Sequence, residues 1–138
     1  MVGWLAAGAL LILLVWWIGS RYWNPPPDRR SVAYLREIAG DINRSVPVMI
    51  DAETELLPTE AATAMLIYNY RLVKFTAARL DREKFAAAAK QRLTQGACSR
   101  PETRDGFLKE GVTLRYSYFD KDKQHVATID VTPSDCGF

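Results

Sequence analysis

The side chains in this sequence with the clearest chemical potential are its two cysteines. Cys98 and Cys136 are the only cysteines in a chain of 138 residues. Either they form a disulfide, or they are unrelated thiols, one of them on a C-terminal tail. A bond between them would stabilise the fold by roughly 4 kcal/mol on the chain-entropy model. Two cysteines alone do not decide between these interpretations.

A row of carboxylates is the second feature that could do chemistry. Asp51, Glu53 and Glu55 alternate along one predicted strand and therefore share a face. Such a row could bind Ca²⁺ with help from carbonyl oxygens, but it is more typical of a solvated strand. His125, the only histidine, stands beside a charged turn, as surface histidines do. We therefore predict no metal site.

The usual signatures of enzymes and of nucleic-acid binding are missing from the sequence. It contains no G-x-S-x-G, G-x-x-x-x-G-K or C-x-x-C motif. The net charge of +2 is too small to indicate a nucleic-acid partner. We predict a protein without catalytic residues, cofactor or nucleic-acid partner.

The N-terminal segment is uncharged from Val2 to Ser20 and ends at Arg21. A cleaved signal peptide would need a basic start and a site of small residues, and neither is present. The pattern therefore predicts a retained transmembrane anchor over residues 1–23, with aromatic side chains at the membrane interfaces. The predicted interface residues are Trp4, Trp16, Trp17, Tyr22 and Trp23.

A folded domain is predicted after the anchor. Residues 24–30 contain three consecutive prolines and are predicted to form a stiff, extended spacer. Hydrophobic periodicity in residues 31–138 predicts helices over 31–46 and 82–95, and strands over 48–56, 65–73, 112–119 and 125–132. The order α-β-β-α-β-β indicates a small α+β domain with an antiparallel sheet and the helices on one face.

The two faces of the predicted sheet differ in character. One face carries the predicted core: Leu66, Tyr68, Tyr70, Leu72, Val112, Leu114, Tyr116, Tyr118, Ala127, Ile129 and Val131. The opposite face is polar, and is either plain solvated sheet or a contact face for a partner. The residues of this possible partner-contact face are Glu53, Glu55, Asn69, Arg71, Arg115 and Asp130.

Several segments resemble a group of small exported bacterial proteins of uncharacterised function. The similar segments include "YNYRLV" (68–73), "GVTLRYSYFDKD" (111–122) and "VTPSDC" (131–136), and the likeness covers most of residues 35–136. The resemblance implies a Cys98–Cys136 disulfide and a domain outside the cytoplasm. It carries no catalytic residue and no known ligand. The chain departs from this group at its front end, which looks uncleaved.

The orientation of the predicted anchor rests on conflicting signals. Arg21, Arg29 and Arg30 follow the apolar segment, and the positive-inside rule alone would place the domain in the cytoplasm. The cysteine pair implied by the resemblance places it outside. We predict a single-pass protein of the bacterial inner membrane with its C-terminal domain in the periplasm.

Two functions fit these expectations. The first is a non-enzymatic, membrane-anchored envelope protein, an accessory or structural subunit or an interaction module of a larger membrane complex. Its partners would be the lipid bilayer and other integral membrane or envelope proteins. The alternative is a free-standing periplasmic module that binds a ligand or inhibits another protein, which a pocket lined by Tyr and Arg with a bound ligand would favour.

Overall fold

A five-stranded sheet forms the centre of the domain in the computed structural model, which describes residues 12–20 and 25–138. The strands are β1 (Val48–Met49), β2 (Thr54–Ala62), β3 (Met65–Leu72), β4 (Thr113–Phe119) and β5 (His125–Val131), and they lie in this order across the sheet. β3 and β4 are parallel, and every other neighbouring pair is antiparallel. The prediction of a small α+β domain is confirmed, whereas that of a purely antiparallel sheet is wrong.

The parallel pair follows from the connection between β3 and β4. This connection contains α2 (Arg82–Ser99), α3 (Pro101–Thr103) and a π-helical turn (Arg104–Leu108). A segment of this length returns the chain to the end of the sheet at which β3 began, as crossover connections do. β4 therefore starts beside Met65, its partner being Thr113, instead of forming a hairpin with β3.

The predicted strand over residues 48–56 is in fact two strands. The carboxylate of Asp51 accepts hydrogen bonds from the backbone N–H groups of Glu53 and Thr54, both at 2.8 Å. Such a local bond turns the chain and interrupts the strand. β2 then continues through Pro58, beyond the predicted end of the strand at residue 56, because the register shift between Leu57 and Glu60 accommodates a proline.

The helices begin where the sequence predicts. α1 (Val32–Asn43) is capped by Ser31, and α2 is capped by Asp81; each side chain accepts the backbone N–H three residues on. The second helix was predicted to end at residue 95, before Gly96, but α2 continues to Ser99. Only Gly111 and Gly137 among the described glycines have a positive φ, so Gly96 keeps a helical backbone.

The predicted transmembrane anchor over residues 1–23 is wrong for the part of the chain that the structure describes. Within residues 12–20 and 25–138, no helix has the length and apolar character needed to cross a membrane. Trp16 and Trp17 are 71% and 56% exposed. The other predicted interface residues, Trp4, Tyr22 and Trp23, lie outside the described residues.

Both long helices pack on the same face of the sheet. α1 lies against β2 and α2 lies against β5, and Ala39 and Ala89 from the two helices join a buried cluster with Leu66, Leu114 and Ile129. Most of the predicted core is buried, but Tyr68, Tyr70 and Tyr118 remain partly exposed. The two helices therefore leave part of the central strands β3 and β4 exposed to solvent.

The last residue of α1 fixes this helix to the outer edge of β2. The side-chain amide of Asn43 donates to the carbonyl oxygen of Thr59 at 2.9 Å and accepts its backbone N–H at 2.7 Å. An Asn43→Ala variant leaves both Thr59 groups without this partner, and we expect the free energy of unfolding to fall by about 2 kcal/mol. Urea denaturation measures this change. Asn43→Asp, which keeps the acceptor, should lose about 1 kcal/mol; an Asn43→Ala variant as stable as the wild type would contradict the assignment.

Candidate partner-binding groove

Four tyrosines from the central strands form an aromatic floor between α2 and the sheet. Tyr68 pairs in register with Tyr116, and Tyr70 with Tyr118, on the parallel strands β3 and β4. Their side chains share a sheet face because they are two residues apart on each strand. The rings are stacked, with centroids 5.3 Å apart for Tyr68–Tyr116 and 5.2 Å apart for Tyr70–Tyr118.

α2 forms the wall above this floor. A cavity of about 640 Å³ lies between α2 and the bend at residues 50–54, and a second of about 320 Å³ lies over Tyr68, Tyr70 and Tyr116. Arg92 and Leu93 of α2 and Arg100, the residue directly after the helix, border both cavities, so we describe the two cavities together as the aromatic groove. Its α2 residues are Phe85, Ala89, Arg92, Leu93, Gly96 and Ala97.

The floor of the groove is polar only at its phenol groups. None of the four hydroxyls forms a hydrogen bond to another described residue. Burial raises the pKa of all four tyrosines, and the neighbouring phenols raise those of Tyr70 and Tyr116 further. The hydroxyls therefore stay neutral at physiological pH. They leave the groove an apolar surface with hydrogen-bonding groups that an occupant could satisfy.

Arg92 and Arg100 supply the positive charge of the groove, and Asp51 and Glu53 supply negative charge at its larger cavity. Arg92 and Arg100 are exposed, and neither forms an ion pair among residues 12–20 and 25–138. Arg92 lies in α2 and Arg100 directly follows it, eight residues further on, which corresponds to about 12 Å along the helix axis. Burial raises the pKa of Tyr118 and Tyr116; the charge of Arg92 opposes this rise at Tyr118, and that of Arg100 opposes it at Tyr116. The two cations are thus placed over different parts of the floor.

The predicted partner-contact face lies on the other side of the sheet, where its charges pair with each other. Arg115 makes two 2.8 Å hydrogen bonds to Asp130, its cross-strand neighbour. Arg71 contacts Glu55, again its cross-strand neighbour, at 3.0 Å. These pairs satisfy the charged groups without a partner.

The remaining residues of that face differ in their contacts. Asn69 donates to the carbonyl oxygen of Pro58 at 2.8 Å and to the carboxylate of Glu60 at 3.0 Å. Glu53 is exposed in the bend before β2 and lines the larger cavity of the groove. Of the predicted contact residues, the structure thus brings Glu53 to the groove and leaves the others on the opposite face.

Cys98 and Cys136 are joined by a disulfide, which confirms the predicted pair. The bond connects the last turn of α2 to the 3₁₀ turn Pro133–Cys136, with the Cα atoms 5.3 Å apart. Lys90 adds a second link, because its ammonium donates to the carboxylate of Asp135 and to the carbonyl oxygen of Asp130, both at 2.6 Å. Two links therefore hold the groove wall against the C-terminal end of the sheet.

Asp120 ties the loop at the other end of the groove to the β4–β5 turn. Its buried carboxylate accepts backbone N–H groups from Ala77, Asp122 and Gln124, each at 2.8 Å. The hydrogen bond from Ala77 is the main cause that lowers the pKa of Asp120, although burial opposes it. The carboxylate is therefore more acidic in the folded chain than in the unfolded one.

The lowered pKa of Asp120 makes the free energy of unfolding depend on pH in a defined direction. The stabilisation from ionised Asp120 is fully present above its unfolded pKa of about 4, and it is lost as the pH falls through the lower folded pKa. We expect Asp120→Asn to be less stable than the wild type near neutral pH, and the difference to shrink below about pH 4. Urea denaturation at several pH values measures it. A difference that stays constant down to about pH 2.5 would contradict this role.

Sequence comparisons identify no relative for this chain: no family model and no curated protein matches it. Three solved structures share its fold. One is a proposed secreted protein of Pseudomonas aeruginosa, with a TM-score of 0.66 and 23% identity over 76% of this chain and 91% of that one. The pilotin EpsS of the Vibrio vulnificus type 2 secretion system has a TM-score of 0.61 and 12% identity over 80% and 96% of the two chains.

The third structure is AspS, a pilotin of the Vibrio cholerae type II secretion system. It has a TM-score of 0.51 and 16% identity over 76% of this chain and 94% of that one. In all three comparisons nearly the whole of the other protein is matched, so the likeness extends over an entire domain. At sequence identities of 12–23%, this likeness establishes a shared fold.

Proposed function

We propose that this protein is an exported, non-enzymatic accessory protein of the bacterial envelope, and that its aromatic groove binds a segment of a partner envelope protein. Its fold is shared with two pilotins of type II secretion systems, which makes a role beside an envelope assembly a natural hypothesis. The Cys98–Cys136 disulfide supports export, because disulfides persist in oxidising compartments.

The observation that carries this proposal is the pair of unpaired guanidiniums, Arg92 and Arg100, beside a partly exposed aromatic floor. Tyrosine and arginine are the side chains most often responsible for binding energy at protein interfaces. An arginine without a carboxylate of its own can form a strong, bidentate contact with a carboxylate of a partner. We therefore propose an occupant whose carboxylates contact Arg92 and Arg100, although Asp51 and Glu53 also line the larger cavity and offset part of its positive charge.

The groove also defines the size of that occupant. From Phe85 in α2 to Arg100, which directly follows the helix, the wall of the groove is about 22 Å long. This length fits about seven residues of extended chain or four turns of helix. The proposed occupant is an amphipathic segment with apolar side chains on the tyrosine floor and two carboxylates about 12 Å apart, which meet Arg92 and Arg100.

Affinity purification from the native cells in mild detergent tests this function. We expect one envelope protein to co-purify stoichiometrically, and a synthetic peptide of its acidic, apolar segment to displace it. A protein that binds but is not displaced by any such peptide would contradict the groove as the binding site. A monodisperse protein without a partner would contradict the accessory function.

The free-standing ligand-binding module is the second candidate, and the same groove supports it. A cavity of about 640 Å³ with mainly apolar walls, two arginines and two carboxylates falls in the size range of small-molecule sites. Native mass spectrometry of the protein purified from its own cells separates the two functions. A bound anionic compound of low mass that is retained without any protein partner would favour the ligand-binding module.

A further inference from the structure

A third cavity, which shares Phe75 with the larger cavity of the groove, is lined mainly by cations. It has a volume of about 560 Å³ and is lined by Lys74, Phe75, Thr76, Arg79 and Lys121. The first four residues belong to the loop after β3 and its 3₁₀ turn, and Lys121 belongs to the β4–β5 turn. Two loops that are distant in sequence therefore place three cations around one cavity.

Main-chain and side-chain hydrogen bonds hold these two loops together. The backbone N–H of Lys121 donates to the carbonyl oxygen of Phe75 at 2.9 Å. The carboxylate of Asp120 accepts the N–H of Ala77, and the guanidinium of Arg71 donates to the carbonyl oxygen of Lys121 at 3.1 Å. The backbone that carries the cations is therefore fixed before any ligand binds, which lowers the entropic cost of binding.

None of the three cations of this cavity forms an ion pair among the described residues, although the carboxylate of Asp120 interacts with Lys121 at longer range. Asp120 lies nearby, but its carboxylate is occupied by three backbone N–H groups. Asp122, in the same turn, is exposed and does not line the cavity. Three positive charges therefore surround one cavity, and an anion bound there would reduce their mutual repulsion.

The hydroxyl of Thr76 provides a neutral donor in the same cavity. Thr76 precedes the 3₁₀ turn Ala77–Arg79, a position at which threonine commonly bonds to the turn, yet its side chain makes no such bond. Among the described residues it has no hydrogen-bond partner. An anion with several acceptor oxygens could accept a hydrogen bond from this hydroxyl and contact the three cations at the same time.

We propose that this cavity binds a phosphate group. Phosphate oxygens combine the negative charge and the number of acceptors that two lysines, one arginine and one hydroxyl can satisfy together. Arg79 offers a planar, two-pronged donor, and the lysines act as mobile point charges. The phosphate could belong to a soluble compound or to a phospholipid headgroup. This site is separate from the aromatic groove, and its occupancy does not depend on the function proposed there.

Titration of the full chain with inorganic phosphate, followed by ¹⁵N NMR at constant ionic strength, tests the proposal. We expect the amide signals of the loop around Thr76 and of Lys121 to shift. An Arg79→Glu, Lys121→Glu double variant should weaken phosphate binding roughly tenfold or more. Thr76→Val, which removes only the hydroxyl, should weaken it severalfold. The matched control is Arg36→Glu with Lys109→Glu, which reverses the same number of exposed, unpaired charges outside the cavity.

Flotation with vesicles distinguishes the two sources of phosphate. If Arg79→Glu, Lys121→Glu reduces retention on phosphatidylglycerol vesicles and the control variant does not, the source is a lipid headgroup. Unchanged retention, together with reduced affinity for inorganic phosphate, identifies a soluble compound. The proposal is overturned if the control weakens binding as much as the cavity variant, or if neither inorganic phosphate nor the vesicles respond to the cavity variant. Binding of a partner in the groove should be unchanged in every arm.

Discussion

Removal of the disulfide will lower the free energy of unfolding by about 4 kcal/mol, the largest stability effect that we expect from any change in this chain. Cys98 and Cys136 are 38 residues apart, and the loop between them contains β4 and β5. Opening the loop increases the entropy of the unfolded chain. It also releases the end of α2, so the groove wall should loosen before the sheet unfolds.

The measurement is urea denaturation of a Cys98→Ser, Cys136→Ser double variant, which avoids leaving one free thiol. A Lys90→Met variant is the matched control, because it removes the second link between α2 and the C-terminal turn. Its ion pair with Asp135 is partly exposed, so we expect a loss of no more than about 1 kcal/mol. Equal stabilities of the double cysteine variant and the wild type would show that the disulfide does not support the fold.

Reversal of both groove charges will weaken partner binding roughly 100-fold or more. In an Arg92→Glu, Arg100→Glu variant, two charge-assisted contacts become repulsions toward the carboxylates of the proposed occupant. Neither arginine is ion-paired among the described residues, so the variant should fold with nearly unchanged stability. Calorimetry with the purified partner or its peptide gives the affinity.

The control for this variant is Arg82→Glu with Lys109→Glu, which changes the net charge equally but lies outside both cavities. If it weakens binding as much, the effect is one of general charge, and the groove is not the site. Arg82 is the first residue of α2 and has no ion pair in the part of the chain that the structure describes. A glutamate there is compatible with the helix dipole.

A steric variant tests the groove without changing its charge. Gly96 lines the narrower cavity, and a Cβ added to it meets no atom within 4 Å. Gly96→Trp should therefore fit on the helix and fill the space above Tyr68 and Tyr116, which excludes the occupant. Gly40→Trp on α1 is the matched control, because a Cβ at Gly40 also meets open space. Loss of binding in both variants would contradict a specific block of the groove.

Local sequence patterns were sufficient to predict the elements of the domain but not how they assemble. The hydrophobic periodicity of α1 and α2 and the apolar alternation of β3, β4 and β5 are local signals, and they predicted real elements. Whether β4 pairs with β3 in parallel depends on the path of the segment that contains α2, which no local pattern describes. The bend at Asp51 was missed because an Asx turn competes with an alternating pattern that otherwise favours a strand.

The groove was hidden from the sequence for a related reason. Tyr68, Tyr70 and Tyr118 alternate along their strands as core residues do, and the sequence does not reveal that the helices leave this part of the sheet partly uncovered. Arg92 and Arg100 were not predicted as site residues. The available signal was their position beside the apolar face of α2 that carries Leu93, with no acidic residue from Lys84 to Arg100.

The disulfide, in contrast to the groove, was predicted before the structure was known. Two cysteines left both interpretations open, and the resemblance to small exported proteins, not the spacing, favoured a bond. The structure joins the two residues because the end of α2 and the turn after β5 meet at one edge of the sheet. The polar contact face is an untested prediction, although Arg71 and Arg115 already have carboxylate partners on it.

Photo-crosslinking from the floor of the groove tests the central claim most directly. A Tyr70→p-benzoylphenylalanine variant places the reactive ring in the groove, and the same replacement at Phe119, which lines a cavity on the opposite face of the sheet, is its control. We predict a light-dependent adduct with an acidic, apolar segment of one envelope protein from position 70 alone, which disappears when Arg92→Glu and Arg100→Glu are added. An adduct of equal yield from position 119, or one that persists with both arginines reversed, would contradict the claim that the aromatic groove is the binding site.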